Sequence, residues 1–253
     1  MNTLINEYNN INEDKLKDNY FSKNFGGKFF SKKIAKKIGF IRNDIEKKKD
    51  ILTKREYCIL LATLIYNIDK IANTVGHFDA YIKKEIKEDS LILKPILIEN
   101  RTCNFEIYRT DSNALAKQIT ADVAYIDPPY NSRQYSRFYH LYETLVKWNK
   151  PKLYGVAMKP APENMSRYCT VNAKNAFRDL IENLNVKYIV TSYNNTYNSK
   201  SSSSENKISL NDIEMILNSK GKTKVFTHNY KFFNTGKTEF SNHMEYLFLT
   251  KVS

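Results

Sequence analysis

The sequence predicts an α/β fold: a sheet region preceded by a mostly helical subdomain. Three observations carry this reading. From residue 93 onward, short runs of β-branched and aromatic residues alternate with helical periodicity, the pattern of a sheet covered by helices. Between residues 31 and 92 the apolar residues recur mainly at helical spacing. Finally, the run Val123-Ala124-Tyr125-Ile126 stops abruptly at Asp127-Pro128-Pro129-Tyr130. Prolines lack amide protons and fix φ, so neither strand nor helix continues. Asp127 and Tyr130 then sit on a stiff loop at the carboxyl end of a strand, where open α/β sheets bind ligands.

Residues 1–30 are polar and asparagine-rich, with Gly26-Gly27 among Phe25, Phe29 and Phe30, and are read as irregular. A helix is expected from Ser31, because Ile34, Ile38, Ile41 and Ile45 recur every three or four residues. A second helix starts at Thr53, where Thr53-Lys54-Arg55-Glu56 forms a capping box. It runs through Leu60, Leu64 and Ile68 towards Val75. Strands are expected at Ile96–Ile98, Phe105–Tyr108, Val123–Ile126, Tyr188–Ser192, Lys224–Thr227 and Tyr246–Thr250. Helices are marked by Phe138, Leu141, Leu145 and Trp148, and by Ala173, Phe177, Leu180 and Leu184 after a cap at Thr170. Ile213, Ile216 and Leu217 mark a third, ended by Gly221. The serine run 201–204 reads as a mobile loop or a plain linker. Three regions follow: 1–30, a helical block at 31–92, and an α/β region at 93–253.

The segment from Ala124 to Tyr135, Ala-Tyr-Ile-Asp-Pro-Pro-Tyr-Asn-Ser-Arg-Gln-Tyr, resembles motif IV of the Dam-like, alpha-class adenine DNA methyltransferases of restriction–modification systems. Tyr188 to Asn195 and Glu245 to Phe248 extend the resemblance, which covers most of the chain from about Tyr20. It implies a partial Rossmann-like methyltransferase sheet, the family's strands three to seven. It also implies S-adenosylmethionine as cofactor and double-stranded DNA as partner. The helical block would be the target-recognition domain, its lysines touching phosphates or simply forming a solvated face.

In the family the exocyclic amine of adenine is activated by two acceptors, which pull its delocalised lone pair towards tetrahedral geometry. Here these are the Asp127 carboxylate and the Pro128 carbonyl. The base must leave the duplex to reach them, and Tyr130 would stack on it, worth roughly 1–3 kcal/mol. Asn131, Arg133, Gln134 and Tyr135 match the family's continuation and are the candidate DNA-binding residues. A surface ion pair for Arg133 and core packing for Tyr135 stand beside that reading. Asp111, after the expected Phe105–Tyr108 strand, resembles the acidic residue that contacts the adenosine moiety, and it also suits a helix cap before Ala114-Leu115-Ala116.

One departure is large. The family's first strand carries a Phe-x-Gly-x-Gly turn for the cofactor, and no such unit stands in this sequence. In the family's order that strand lies beside the motif IV strand, so the gap falls inside the sheet. The chain looks like the carboxyl-terminal part of an enzyme whose first segment is a separate polypeptide or has been lost. Its partners would then include that cofactor-binding polypeptide and, by system and not by contact, a restriction endonuclease. An inactive DNA-binding remnant, or an RNA or protein amide methyltransferase, are the other readings.

Composition is compatible with these. Forty Lys plus Arg against 27 Asp plus Glu give +13. That excess suits a polyanionic partner through counterion release, or reflects the codon bias of an AT-rich genome. Cys58, Cys103 and Cys169 are isolated, and with four scattered histidines they suggest neither a disulfide framework nor a metal site. No apolar run approaches the roughly 20 residues of a membrane span, and the expected location is the reducing cytoplasm.

Overall fold

The computed structural model describes residues 1–86, 90–96, 102–195, 206–229 and 244–253. The chain divides into two compact units: residues 1–103 with 135–163, and residues 104–134 with 164–253.

The first unit is helical among its described residues. Helices α1 (Asn2–Asn9), α2 (Tyr20–Phe25), α3 (Lys32–Lys47) and α4 (Lys54–Asp69) come before the excursion to the second unit, and α6 (Tyr135–Phe138) and α7 (His140–Lys147) after it. The Ser31 hydroxyl caps α3 by accepting from Ile34 N–H. Thr53 and Glu56 close the expected capping box on α4, contributing about 1 kcal/mol. That helix ends at Asp69 and not near Val75, although Ile71 and Ala72 beyond it still pack on the core.

The irregular reading of residues 1–30 is corrected: α1, a 3-10 turn at Glu13–Lys15 and α2 lie there. Asn19 and Ser22 make a reciprocal capping box on α2, and Phe21, Phe25, Phe29 and Phe30 are wholly buried in the unit's core. Gly27, at φ 73°, turns the chain between these rings, a backbone state that glycine adopts without steric cost. The helical block therefore reaches beyond 31–92 in both directions. The helix expected around Phe138 to Trp148 is broken at Tyr139 into α6 and α7.

Arg42, fully buried, closes the end of α7: its guanidinium donates to the Leu145 and Val146 carbonyls, to the Tyr57 hydroxyl and to Glu46. His140 is equally buried, among the Phe25, Phe29 and Phe78 rings. Its Nδ1 lies 3.0 Å from the Arg137 carbonyl and its Nε2 2.9 Å from that of Ala157. Burial first, and then the Arg137 charge, hold the imidazole below its ordinary range against those carbonyls. A histidine kept neutral in the fold but free to protonate when unfolded favours the unfolded chain in acid. Thermal stability is therefore expected to fall as pH drops below about 6.5, and His140→Gln should flatten that slope in melts measured across pH. An unchanged slope would contradict the assignment.

The second unit is an α/β layer. Strands β1 (Thr120–Ile126), β2 (Asn185–Asn194), β3 (Gly221–Asn229) and β4 (Met244–Val252) form one sheet in the order β1-β2-β4-β3. β1 and β2 are parallel, with Ile126 opposite Thr191. β4 runs antiparallel to both of its neighbours. Gly221 opens β3 instead of ending the preceding helix: a Cβ there would lie 2.1 Å from the Lys251 carbonyl oxygen. Helices α5 (Ser112–Ala116), α8 (Ala173–Asn183) and α9 (Leu210–Asn218) complete the unit. Their apolar faces share a core with Ile189, Tyr193 and Phe248, each buried side chain adding roughly 1.5–3 kcal/mol. The α8 cap is Asn172, not Thr170, whose hydroxyl accepts from Asn172 N–H one turn earlier.

Of the six expected strands, four are present. Phe105–Tyr108 forms no strand and pairs with none among the described residues, and Leu97, Ile98 and the serine run lie outside them. Among the described residues no strand pairs with the second edge of β1. On that edge's open face Val123 is 54 % and Tyr125 65 % exposed.

Candidate active site

Asp127 is the first residue beyond β1, at the carboxyl end of the sheet, and its side chain is exposed while Pro128 is buried. The two prolines end the strand, so the next residues fold back across the strand ends. Tyr130 OH donates to Asp127 Oδ1 at 2.9 Å, and Ser192 Oγ donates to the same oxygen at 3.2 Å. The parallel register brings Ser192 there, since Ile126 pairs with Thr191.

Below the loop, the Tyr193 ring meets that of Tyr130 edge-on at 5.1 Å. Its hydroxyl donates to the Tyr130 carbonyl and accepts from Ile208 N–H, while Lys207 N–H donates to the same carbonyl at 2.8 Å. Tyr130 is thus fixed through its main chain and its phenol. Burial, then the bond to Asp127, raises the Tyr130 phenol well above its usual range. Burial pushes Tyr193 up to about 12. Glu245 on β4 completes the group: burial raises its carboxyl and the Asp127 charge adds to the effect. The two acids therefore share one electrostatic field, with Asp127 facing solvent.

The other expected residues fall out differently. Asn131 Oδ1 accepts from Arg133 N–H at 3.0 Å, an Asx turn that shapes the loop; Arg133 itself is exposed. Gln134 is buried, and its amide makes both bonds to the Ser166 main chain, at 2.7 and 3.1 Å. Tyr135 opens α6 in the helical unit and is exposed, not packed in a core.

Asp111 is a helix cap: its Oδ1 accepts from Asn113 and Ala114 N–H and lies 3.7 Å from Arg167. The strand expected before it is absent. Next to it in sequence, Ser112 lines a cavity of about 390 Å³ that reaches Asp127. Leu115, Ile119, Val123, Tyr125 and Tyr168 form much of its wall, so it suits a flat, largely apolar group with a polar rim.

Sequence reasoning assigned no role to Ser192, Tyr193 or Glu245. The first two stand in the Tyr188–Asn195 run already noted, one and two residues past the position that pairs with Ile126. Strand register was the missing information. Among the described residues no group of His, Cys, Asp and Glu could hold a metal ion, and no helix is long and apolar enough to cross a membrane.

Comparison with known proteins agrees with this geometry. The family profile described as D12 class N6 adenine-specific DNA methyltransferase matches residues 1–196. Type II methyltransferase M.FokI of Planomicrobium okeanokoites is 34% identical over 230 residues, 87% of this chain and 34% of that protein. Type II methyltransferase M.NlaIII of Neisseria lactamica is 33% identical over 85% of this chain and 63% of its own length. For M.CviAII of Paramecium bursaria Chlorella virus 1 the figures are 31%, 88% and 66%. The chain thus spans from about a third to two thirds of the length of these relatives. No solved structure matches it significantly. A profile match running from the helical unit through the acid–proline loop and β2, on the strands that build the Asp127 site, places the chain in one family: it belongs to the D12 class N6 adenine-specific DNA methyltransferases.

Proposed function

We propose that this chain methylates the exocyclic amine of adenine in duplex DNA, as the modification arm of a restriction–modification system. The observation that carries the reading is Asp127. It is an exposed carboxylate at a strand's carboxyl end, already accepting two hydrogen bonds on one oxygen. A carboxylate can accept several donors, so an amino group of a base replaces or joins these donors without the loop moving. Asp127 and the Pro128 carbonyl would accept hydrogen bonds from the two amine N–H groups, and Tyr130 would stack on the base. Arg133 would contact backbone phosphate, with Asn131 and Gln134 holding the loop that presents it. Tyr135, on the helical unit, would contact DNA independently.

The methyl donor would lie in the cavity beside Ser112, with Asp111 at its amino-terminal margin. S-adenosylmethionine, when bound, supplies a sulfonium methyl open to attack by the amine. The chain's own part is positioning and electrostatic, which is where such reactions gain most of their rate. The open edge of β1 supports a further element of the reading: a strand–turn–helix segment from outside the described residues pairs there and completes the cofactor side. It would be a separate cofactor-binding polypeptide. The protein would work in the cytoplasm, where a cognate endonuclease shares its DNA site without needing to touch it. The same open edge favours, as a second reading, a chain that binds the base but transfers no methyl by itself.

Transfer of labelled methyl from S-adenosylmethionine to duplex DNA, RNA and protein tests the proposal, and label on adenine in DNA alone is expected. Within that assay Tyr130→Ala should lose about one to two orders of magnitude, the worth of one base–aromatic stack. Tyr130→Phe and Tyr130→Trp should recover much of the loss. Equal loss in all three would remove stacking from the account.

A further inference from the structure

The stretch after α7, on the helical unit, has no part in the site described above. Its sequence, Lys147-Trp-Asn-Lys-Pro-Lys-Leu-Tyr-Gly-Val-Ala-Met-Lys159, holds four lysines and no acidic residue. Tyr154 and Lys159 pair across a tight reversal, each N–H donating to the other's carbonyl, and Met158 N–H donates to the Gly155 carbonyl. Trp148, Lys150 and Met158 all adopt left-handed backbone, at φ 49°, 49° and 52°. Large side chains rarely do so, and such states persist where the surroundings over-determine them.

Those surroundings are visible. Tyr20 OH donates to the Pro151 carbonyl, buried His140 meets the Ala157 carbonyl, Lys159 pairs with Asp79, and Arg137 donates to the Pro160 carbonyl. These anchors flank the turn on both sides, and Leu153, Ala157 and Met158 pack on the unit's core. The tip is left out: Val156 is 70 % and Tyr154 54 % exposed.

The lysines divide in the same way. Lys147 pairs with Glu143 and Glu163, and Lys159 with Asp79. Lys150 and Lys152 are exposed, and their described contacts are aromatic: the Trp148 ring at 5.3 Å and the Tyr154 ring at 5.5 Å. A braced finger thus carries two cations on its flank and an apolar tip. A polyanion with apolar surface between its charged rails fits this arrangement better than a protein face, because no acidic residue on the finger would repel it. Duplex DNA has that form, and proteins that deform it do so with apolar wedges set between phosphate contacts.

We infer that residues 148–158 form a DNA-docking finger, with Lys150 and Lys152 on phosphates and Tyr154 and Val156 entering a groove. The inference rests on DNA being this chain's substrate. Its test is titration of the full chain with fluorescent mixed-sequence duplex DNA across a salt series. Lys150→Gln with Lys152→Gln should lower the slope of log affinity against log salt by about two, and affinity at low salt by tenfold or more. Val156→Asp should weaken binding tenfold or more while its melting curve and circular dichroism stay those of the parent. Tyr154→Trp should bind as the parent does, and Tyr154→Ser should not. Parent-like slopes and affinities in all variants, with a parent that binds DNA, would overturn the finger alone. A parent that binds no duplex DNA at any salt would overturn the finger and the proposed substrate together.

Discussion

Asp127→Ala is expected to reduce methyl transfer to DNA by about a hundred- to a thousandfold or more, the usual scale for losing one preorganised polar group at the reacting atom. Affinity for duplex DNA should change by no more than about twofold, because phosphate contacts supply most of it. The side chain is exposed and its two bonds come from Tyr130 and Ser192, so the fold should tolerate its removal. Single-turnover methylation and a binding titration on the same preparation decide the matter. Substantial transfer by the variant would sink the assignment of Asp127. A matching loss of DNA affinity would move its role from chemistry to recognition.

The second large effect concerns β1. Val123 and Tyr125 lie exposed beside a main-chain edge that no strand among the described residues covers. Such an edge is a template for another strand, welcome or not. The chain of these 253 residues alone is expected to self-associate on concentration and to bind S-adenosylmethionine weakly. Supplying a polypeptide with a Phe-x-Gly-x-Gly strand–turn–helix should suppress the association. It should also raise cofactor affinity by about tenfold or more, the effect of roughly 1.4 kcal/mol from one added charge-assisted bond. Calorimetry with and without that polypeptide reads both. Tight cofactor binding by the chain alone would show that the open edge plays no part in the cofactor site.

What could be read in advance followed from signals that are local in sequence. The isoleucines of α3 and the Thr53–Glu56 box specify their helices within one or two turns. The four paired strands announce themselves through β-branched and aromatic runs, and Pro128-Pro129 fix where β1 must stop. Phe105–Tyr108 shows the limit of that logic. Its residues favour a strand, but a strand also needs a neighbour; Phe105 and Ile107 are 74 % and 87 % exposed, with none among the described residues. The amino-terminal helices were missed for the opposite reason. α1 and α2 are too short for periodicity to show, and Phe21 and Phe25 meet Phe29 and Phe30 only because the chain turns at Gly27. In the site, the acid and its tyrosine were legible because they share one rigid motif. Ser192 and Glu245 were not, because only the pairing of β2 with β1 and β4 brings them to the same place.

The ties on Tyr130 have a consequence for how such chains can diversify. Asn206 Nδ2 donates to the Asn194 carbonyl at 2.8 Å, and Lys207 N–H donates to the Tyr130 carbonyl at 2.8 Å. The chain is therefore stitched to the site immediately before and immediately after residues 196–205. Asn194, Asn206 and Lys207 are thus held by contacts that belong to the neighbouring framework. A change of chain length between Asn195 and Asn206 is then expected to leave the tyrosine in place, because these framework contacts do not depend on it. A lineage can vary the length and character of this stretch while the chemistry beside it stays fixed.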